Sequence, residues 1–141
     1  MRKLVPLLAV ALVALLLPAV TTGTSKVKTY LAGCIPSDTA KFKPKTVIIA
    51  CADANAKITK IDWEHWGADH GTGKGTGRFN DCDPSCAQGH FHSYPANVRA
   101  FRPRICERSG KREYTRFKYV FTDKKPAGYP RKNIQIRSCS D

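Results

Sequence analysis

The sequence has no long stretch in which apolar residues recur with the 3.6-residue period of an amphipathic helix. Its apolar residues lie instead in short runs separated by residues that favour turns. Residues 46–51 form a compact β-branched run, residues 114–122 alternate between two faces, and residues 133–139 contain two isoleucines in phase. This pattern argues against a helical fold and predicts a single all-β domain, a small sandwich or barrel.

Complete catalytic and cofactor motifs are also absent from the sequence. Gly73-Lys74 is followed by Gly75, whereas a phosphate-binding loop requires Ser or Thr at that position. Gly71 and Gly73 are followed by Thr76 where the dinucleotide-binding pattern requires glycine. We therefore expect no cofactor, and a function other than catalysis.

Acidic residues are scarce. The chain has 24 lysines and arginines against 11 aspartates and glutamates, and its formal net charge at pH 7 is +13. A strongly basic surface attracts polyanions. The composition therefore predicts an anionic polymer as partner, such as a phosphate-rich wall polymer, an acidic glycan or a nucleic acid. An anionic membrane surface is a further candidate.

The first residues have the pattern of a secretory signal peptide. Met1-Arg2-Lys3 is a charged start, residues 4–20 form an apolar run, and small side chains surround Gly23, near which we place the cleavage. A single-pass membrane anchor is the competing interpretation, but the run is short for a span and no basic cluster follows it directly. The prediction divides the chain into a signal peptide (1–23), a polar N-terminal arm (24–45) and a disulfide-stapled β domain (46–141). It places the protein outside the cell, either free or retained at the cell envelope.

All six cysteines follow the predicted signal peptide. An even number of cysteines in an exported chain predicts disulfides, and six cysteines allow about 15 pairings. We expect Cys82 to pair locally with Cys86, across a turn rich in Asn, Asp and Pro. The other expected pairs are Cys34–Cys51 and Cys106–Cys139.

Four glycines alternate with threonine and lysine in residues 71–77. In an extended strand this period places all four on one face, so that a bulky group can lie flat against the backbone. Trp63 or Trp66 of the preceding segment is the expected partner, which makes the tryptophans core residues. In that segment we expect Ile61 and Trp63 on one face and Ile58 on the other.

Residues 48–94 carry a series of short motifs, namely Cys51-Ala-Asp-Ala-Asn55, Ile61-Asp-Trp63, Trp66-Gly67, the Gly-Thr-Gly repeats and Asn80-Asp-Cys82. In this order the motifs resemble a group of small exported proteins of actinomycete-type bacteria, mostly uncharacterised secreted or lipoprotein-like proteins. The resemblance implies export and a β-rich domain. It brings no known activity, so it assigns no catalytic residue.

The four histidines offer one metal-site hypothesis. His90 and His92 project from one face of a strand at a spacing that several metal sites use, and His65 or His70 could supply a third ligand. Half-exposed histidines in strands and loops explain the same pattern, and we expect no metal there.

The acidic turn offers a second metal-site hypothesis. Asn80, Asp81 and Asp83 could bind calcium through their oxygens, but the downstream acidic residue of an EF-hand loop is missing. A tight turn requires the same residue types, and we expect no metal here either.

The second half of the chain carries the candidate binding face. In the alternating segment, Arg112, Tyr114, Arg116 and Lys118 share one strand face, with further lysines and arginines beyond. The opposite face of the strand carries Phe117, Tyr119 and Phe121. A cationic stripe with an interleaved aromatic binds phosphates or carboxylates and stacks on a base or a sugar. We predict a non-enzymatic binding or retention module for anionic polymers, and a solvated basic surface without a ligand is the plainer alternative.

Two other functions stay open. Glu64 with His65 or His92, together with arginines such as Arg112 or Arg116, are the parts of a small secreted hydrolase of ribonuclease type. The third candidate is a secreted inhibitor or effector that binds another protein. Hydrolysis that depends on Glu64 or His92 would identify the hydrolase, and one-to-one binding that survives high salt would identify the inhibitor.

Overall fold

The computed structural model describes residues 27–139, and this range contains seven β-strands. They are β1 (Thr29–Leu31), β2 (Val47–Ile48), β3 (Ala56–Trp66), β4 (His70–Asn80), β5 (Phe91–Ile105), β6 (Arg112–Phe121) and β7 (Lys132–Ile136). The described range contains no helix, and hence none with the length and apolarity needed to cross a membrane. The all-β prediction is confirmed. The predicted signal peptide, residues 1–23, lies outside the described residues.

All seven strands belong to one sheet, which curls into a half-barrel. The order is β1-β6-β5-β4-β3-β2, and β7 pairs with β6. β5 therefore takes one edge of β6, while β1 and β7 share the other edge at opposite ends. Every pairing is antiparallel except the one between β1 and β6.

Two bulges in β3 bring apolar residues of different phase onto one face. The β3–β4 register shifts at two places, and Lys60, within the first shift, has a φ of 51°. Ile58, Ile61 and Trp63 are all buried in consequence, with exposures of 0%, 0% and 8%. The expectation that Ile58 faces away from Ile61 is wrong, because the extra residue of a bulge reverses the phase of the strand.

The glycines of β4 face this buried surface. A Cβ atom added at Gly71 would lie 2.6 Å from the Trp66 ring, and one added at Gly75 would lie 2.8 Å from the Ile58 side chain. Real Cβ atoms do not approach other heavy atoms so closely, so β3 packs directly on a bare backbone. The predicted packing of the glycine face, with a tryptophan as partner, is confirmed.

β6 supplies the centre of the core. Phe117, Tyr119 and Phe121 lie on its inner face and are at most 2% exposed. Edge-to-face contacts join Phe121 to Phe79 and to Tyr119, with ring centroids 5.5 Å and 5.6 Å apart. Aromatic pairs in this geometry add to the stabilisation from burial alone. The predicted inner face of this strand is therefore confirmed.

The described part of the predicted N-terminal arm, residues 27–45, contributes to the sheet. Thr29–Leu31 is β1, and Leu31 forms an antiparallel bridge with Lys41. The Pro44 carbonyl oxygen accepts a hydrogen bond of 2.9 Å from Trp63 Nε1. This segment therefore covers one end of the core.

Three disulfides hold the domain together, and their pairing is the predicted one: Cys34–Cys51, Cys82–Cys86 and Cys106–Cys139. Disulfides form and persist in oxidising compartments. They indicate a non-cytoplasmic, oxidising environment for the folded domain.

Two side chains near the C-terminus bridge the gap between β7 and the β2 segment. Gln135 Nε2 donates a hydrogen bond of 2.6 Å to the Ile49 carbonyl oxygen, and Arg137 donates to the carbonyl oxygens of Ile48 and Ala32 at 2.8 Å and 3.3 Å. Arg137 is buried, and this burial lowers its pKa to about 10. Its positive charge therefore serves the fold and is not part of the outer surface.

Candidate polyanion-binding face

The outer surface of the sheet, opposite the core, carries side chains whose neighbours are set by the strand register. Lys118 of β6 lies directly opposite Arg99 of β5, and Arg116 lies opposite Phe101. Residues that face each other in an antiparallel pair project from the same side of the sheet. We call Arg99, Phe101, Arg116 and Lys118 the basic face.

The cations of the basic face, Arg99, Arg116 and Lys118, are not paired with carboxylates in the described part of the chain. Like charges directly opposite each other in a sheet are destabilising. Arg99 lies over the Phe101 ring, 5.8 Å from its centroid, which is a weakly favourable cation–π contact at an exposed site. The basic face thus keeps an unfavourable concentration of positive charge that a bound anion would relieve.

A shallow cleft of about 440 Å³ opens beside the basic face. Arg99 and Lys118 line it from one side, and Glu64 and Lys74 line it from the other. Glu64 and Lys74 form an ion pair of 2.7 Å, and the hydrogen bond from Lys74 to Glu64 raises the Lys74 pKa. The net positive charge of the cleft therefore comes from Arg99 and Lys118.

Positive charge continues along the same outer surface towards the other end of the sheet. Lys57 lies opposite Arg78, and both are over the Phe91 ring, at 4.8 Å and 5.8 Å from its centroid. Arg78 is six residues along β4 from Thr72, the partner of Arg99. At the usual rise of a strand this separation is about 20 Å. The cationic surface is thus elongated.

Tyr114 does not belong to the basic face, and its predicted contact role is wrong. Its ring is 0% exposed and meets Trp66 edge to face, with centroids 5.2 Å apart. Its hydroxyl donates a hydrogen bond to the Gly67 carbonyl oxygen, and burial raises its pKa to about 12. Strict alternation placed Tyr114 outside, but the alternation fails at this end of β6, where Glu113 and Thr115 are also buried, and Tyr114 packs with Trp66 in the hydrophobic core.

Arg112 lies at the edge of the predicted site. Its Nε donates a hydrogen bond of 3.3 Å to the Ala68 carbonyl oxygen, and its guanidinium is 3.6 Å from the Asp69 carboxylate. These contacts hold the side chain on the β3–β4 turn and partly offset its charge. Two of the four predicted contact residues, Arg116 and Lys118, therefore remain in the candidate site. Neither forms an ion pair with a carboxylate among the described residues.

The four histidines lie in two pairs at opposite ends of the sheet. The His65 and His70 rings flank the β3–β4 turn, with centroids 4.7 Å apart. His92 lies opposite Phe79, while His65 lies opposite Thr72. The seven residues between Thr72 and Phe79 span about 23 Å of strand. The hypothesis of a third histidine ligand beside His90 and His92 is therefore wrong, and Glu64 is equally far from His92.

The acidic turn uses its oxygens for its own hydrogen bonds. Asp81 Oδ1 accepts from the main-chain N–H groups of His90 and Asp83, at 2.8 Å and 3.2 Å. Asp81 Oδ2 is 2.7 Å from His92 Nε2, and Asn80 Oδ1 accepts from the Cys82 N–H. The hydrogen bond with His92, followed by those from the main chain, lowers the Asp81 pKa to about 2. These contacts give the turn a structural role.

One other cluster of potential metal ligands occurs in the described part of the chain, and its chemistry rules out a metal. It consists of Cys106, Glu113 and Cys139. The two cysteines form a disulfide and offer no thiolate. The buried Glu113 carboxylate accepts a hydrogen bond of 2.7 Å from Ser109 Oγ.

A second cleft, of about 430 Å³, lies between β1 and the β2 segment. Arg137, Lys41 and Asp38 are among its lining residues. Arg137 donates to main-chain oxygens, and Asp38 Oδ2 accepts from the Cys34 N–H at 2.8 Å. Arg137 and Asp38 are thus committed to the local structure, so the basic face is the better candidate site.

Sequence reasoning missed Arg99 and Phe101. The signal was present in residues 96–101, where Ala96, Val98 and Ala100 alternate with larger or polar residues. In the structure these three are at most 4% exposed and face the core. Their phase places Arg99 and Phe101 on the outer face.

Comparisons of the chain with protein-family models, with curated proteins and with solved structures find no match. The resemblance to small exported actinomycete-type proteins stays a prediction. The function is therefore inferred from the side chains themselves.

Proposed function

We propose that the protein is a secreted, non-enzymatic module that binds anionic polymers at the cell envelope or outside the cell through its basic face. The observation that carries this proposal is the direct opposition of Arg99 and Lys118 across β5 and β6. A fold has no stability reason to place two cations opposite each other. An anion bound between them would turn this repulsion into attraction.

The elongated shape of the cationic surface favours a polymer over a small anion. Lys57 and Arg78 extend the positive charge about 20 Å from the level of Arg99. A charged chain gains affinity by releasing counterions at each contact, so several separated cations act together. The half-buried Phe101 ring beside Arg99 adds an aromatic surface for a sugar or a base.

Secretion is part of the same proposal. The predicted signal peptide would export the chain, and the disulfides require an oxidising compartment. A net charge of +13 would then hold the protein on anionic material outside the cell.

The test replaces the three cations together, as Arg99→Gln, Arg116→Gln and Lys118→Gln. Binding of the oxidised protein to polyphosphate, RNA and an acidic glycan would be titrated across a salt series. Each cation–phosphate contact contributes roughly 0.7–0.9 to the slope of log affinity against log salt, so the slope should fall by about 2. Affinity at low salt should fall at least tenfold.

A matched variant removes equal charge elsewhere, as Lys41→Gln, Arg108→Gln and Lys124→Gln, all at exposed positions outside the strands that carry the cationic surface. It should retain most of the affinity. Tyr114→Phe should bind as the unmodified protein does, because this ring is buried. Equal losses in the two triple variants would contradict a dedicated face and leave only a solvated basic surface.

Two outcomes would favour the other functions. Hydrolysis of RNA that is lost in Glu64→Gln would identify a hydrolase, in which Glu64 and the neighbouring His65 would act without His92. One-to-one binding of a protein at high salt would identify an inhibitor or effector.

A further inference from the structure

Two isoleucines of β7 are unusually exposed for apolar residues in a strand. Ile134 is 54% exposed and Ile136 is 74% exposed. In the described part of the chain β7 pairs only with β6, so it is an edge strand. Exposed apolar edge strands promote aggregation, and proteins usually avoid them or place charges there. These isoleucines therefore need a physical explanation.

The isoleucines are direct neighbours of the basic face. Ile134 lies opposite Lys118, and Ile136 lies opposite Arg116. Lys132 precedes them on the same strand and lies opposite Val120, which is half-buried. Cations and exposed aliphatic side chains thus alternate across β6 and β7 on a single surface.

A soluble polyanion would account for the cations of this surface but not for its exposed isoleucines. Phosphate or carboxylate groups would bind Lys118 and Arg116, but they leave two isoleucines in water. A bilayer with anionic lipids offers both partners, because headgroups bind the cations and the acyl boundary accepts aliphatic side chains. Lysine and arginine can extend to headgroups while neighbouring apolar groups enter the membrane.

A second copy of the chain fits this surface less well. A two-fold contact would set Arg116 and Lys118 of one copy against the same cations of the other. Such like-charge contacts across an interface are costly. Charge complementarity therefore selects an anionic lipid surface as the partner.

We propose that β7 and the basic face dock the protein peripherally on anionic lipid bilayers. Ile134 and Ile136 enter the headgroup–acyl boundary, and Arg116, Lys118 and Lys132 bind anionic headgroups. The role of the cations rests on the proposed function, whereas the role of the isoleucines is separate from it.

The experiment measures binding of the oxidised protein to vesicles with and without about 30% phosphatidylglycerol in phosphatidylcholine, beside its binding to soluble polyphosphate. Ile134→Thr with Ile136→Thr keeps β-branched side chains suited to a strand. This variant should lose roughly tenfold or more in affinity for anionic vesicles, because the lost apolar burial weakens partition. Its affinity for polyphosphate should change less than twofold.

The control is Val27→Thr with Ile35→Thr, two residues that are also exposed, at 60% and 46%, but lie outside β7. It should bind vesicles as the unmodified protein does. A gain-of-function variant, Ile134→Trp, should bind anionic vesicles more tightly, and brominated lipids should quench its additional fluorescence. A thermal melt of each variant would verify folding.

The outcomes separate this inference from the proposed function. Polyphosphate binding without vesicle binding, or vesicle binding that the isoleucine variant leaves unchanged, would overturn the bilayer inference alone. Equal binding to neutral and anionic vesicles would also overturn it, because the cations would then be unused. If replacing the cations left polyphosphate binding unchanged but weakened binding to anionic vesicles, the proposed function alone would be overturned.

Discussion

Replacing Gly73 with alanine tests whether the bare face of β4 is a packing requirement. The added methyl carbon would lie 3.0 Å from Trp63 Cα and closer still to the Asp62 carbonyl oxygen. Both obstacles are main-chain atoms of β3, which cannot rotate away as a side chain would. They also lie between the two bulges of β3, where the backbone already approaches β4 closely.

The expected loss of stability follows from this geometry. Extra methyl groups in a well-packed interior cost about 1–3 kcal/mol, and main-chain obstacles favour the upper end, so we expect about 3 kcal/mol. For a domain of this size 1 kcal/mol lowers the melting temperature by roughly 4 °C, which predicts a fall of about 12 °C.

The assay is a thermal melt of the oxidised protein followed by circular dichroism. Gly110→Ala is the control, because nothing lies within 4 Å of its added Cβ and its φ of +62° is the sole source of strain. That strain costs about 1–2 kcal/mol for a non-glycine residue. If Gly73→Ala lost no more stability than Gly110→Ala, the packing explanation of the glycine face would be refuted.

Two further predictions concern stability. Asp81 has a pKa of about 2, below its ordinary 3.8, so its contribution is fully present above about pH 4 and is lost as the pH falls through 2. Asp81→Asn should therefore melt below the unmodified protein at pH 6 and together with it near pH 2; a difference independent of pH would contradict this. Replacing each disulfide by a serine pair should cost about 4 kcal/mol for Cys106–Cys139, 3 for Cys34–Cys51 and 2 for Cys82–Cys86, since the sequence separations are 33, 17 and 4. Guanidinium unfolding would measure this, and the largest loss at Cys82–Cys86 would argue against loop closure as the cause.

Local patterns in the sequence were sufficient for several features of the fold. The alternation of Phe117, Tyr119 and Phe121 identified their inward face, and the period of the glycines identified a bare face for a tryptophan. The disulfide pairing also agreed with expectation. For the aromatic and glycine faces a short segment carries the information, because side chains in a strand alternate with a period of two.

The burial of other residues depends on their position within the curled sheet. Ile58 lies in the core because a bulge reverses the phase of β3. The residue pattern of β3 does not predict this bulge. Alternation assigns Tyr114 to the outer face, but it packs in the hydrophobic core, because the three consecutive residues Glu113, Tyr114 and Thr115 are all buried and the alternation is lost there.

The candidate site combines both kinds of information. The sequence alone determined that the protein is basic, β-rich and disulfide-bonded, and that Arg116 and Lys118 share a strand face. Only the tertiary structure brought Arg99 opposite Lys118 and set Ile134 and Ile136 beside the same cations. The physical reason is that composition and strand period are local properties, whereas the neighbours of a side chain across a sheet depend on the register of strands far apart in the chain.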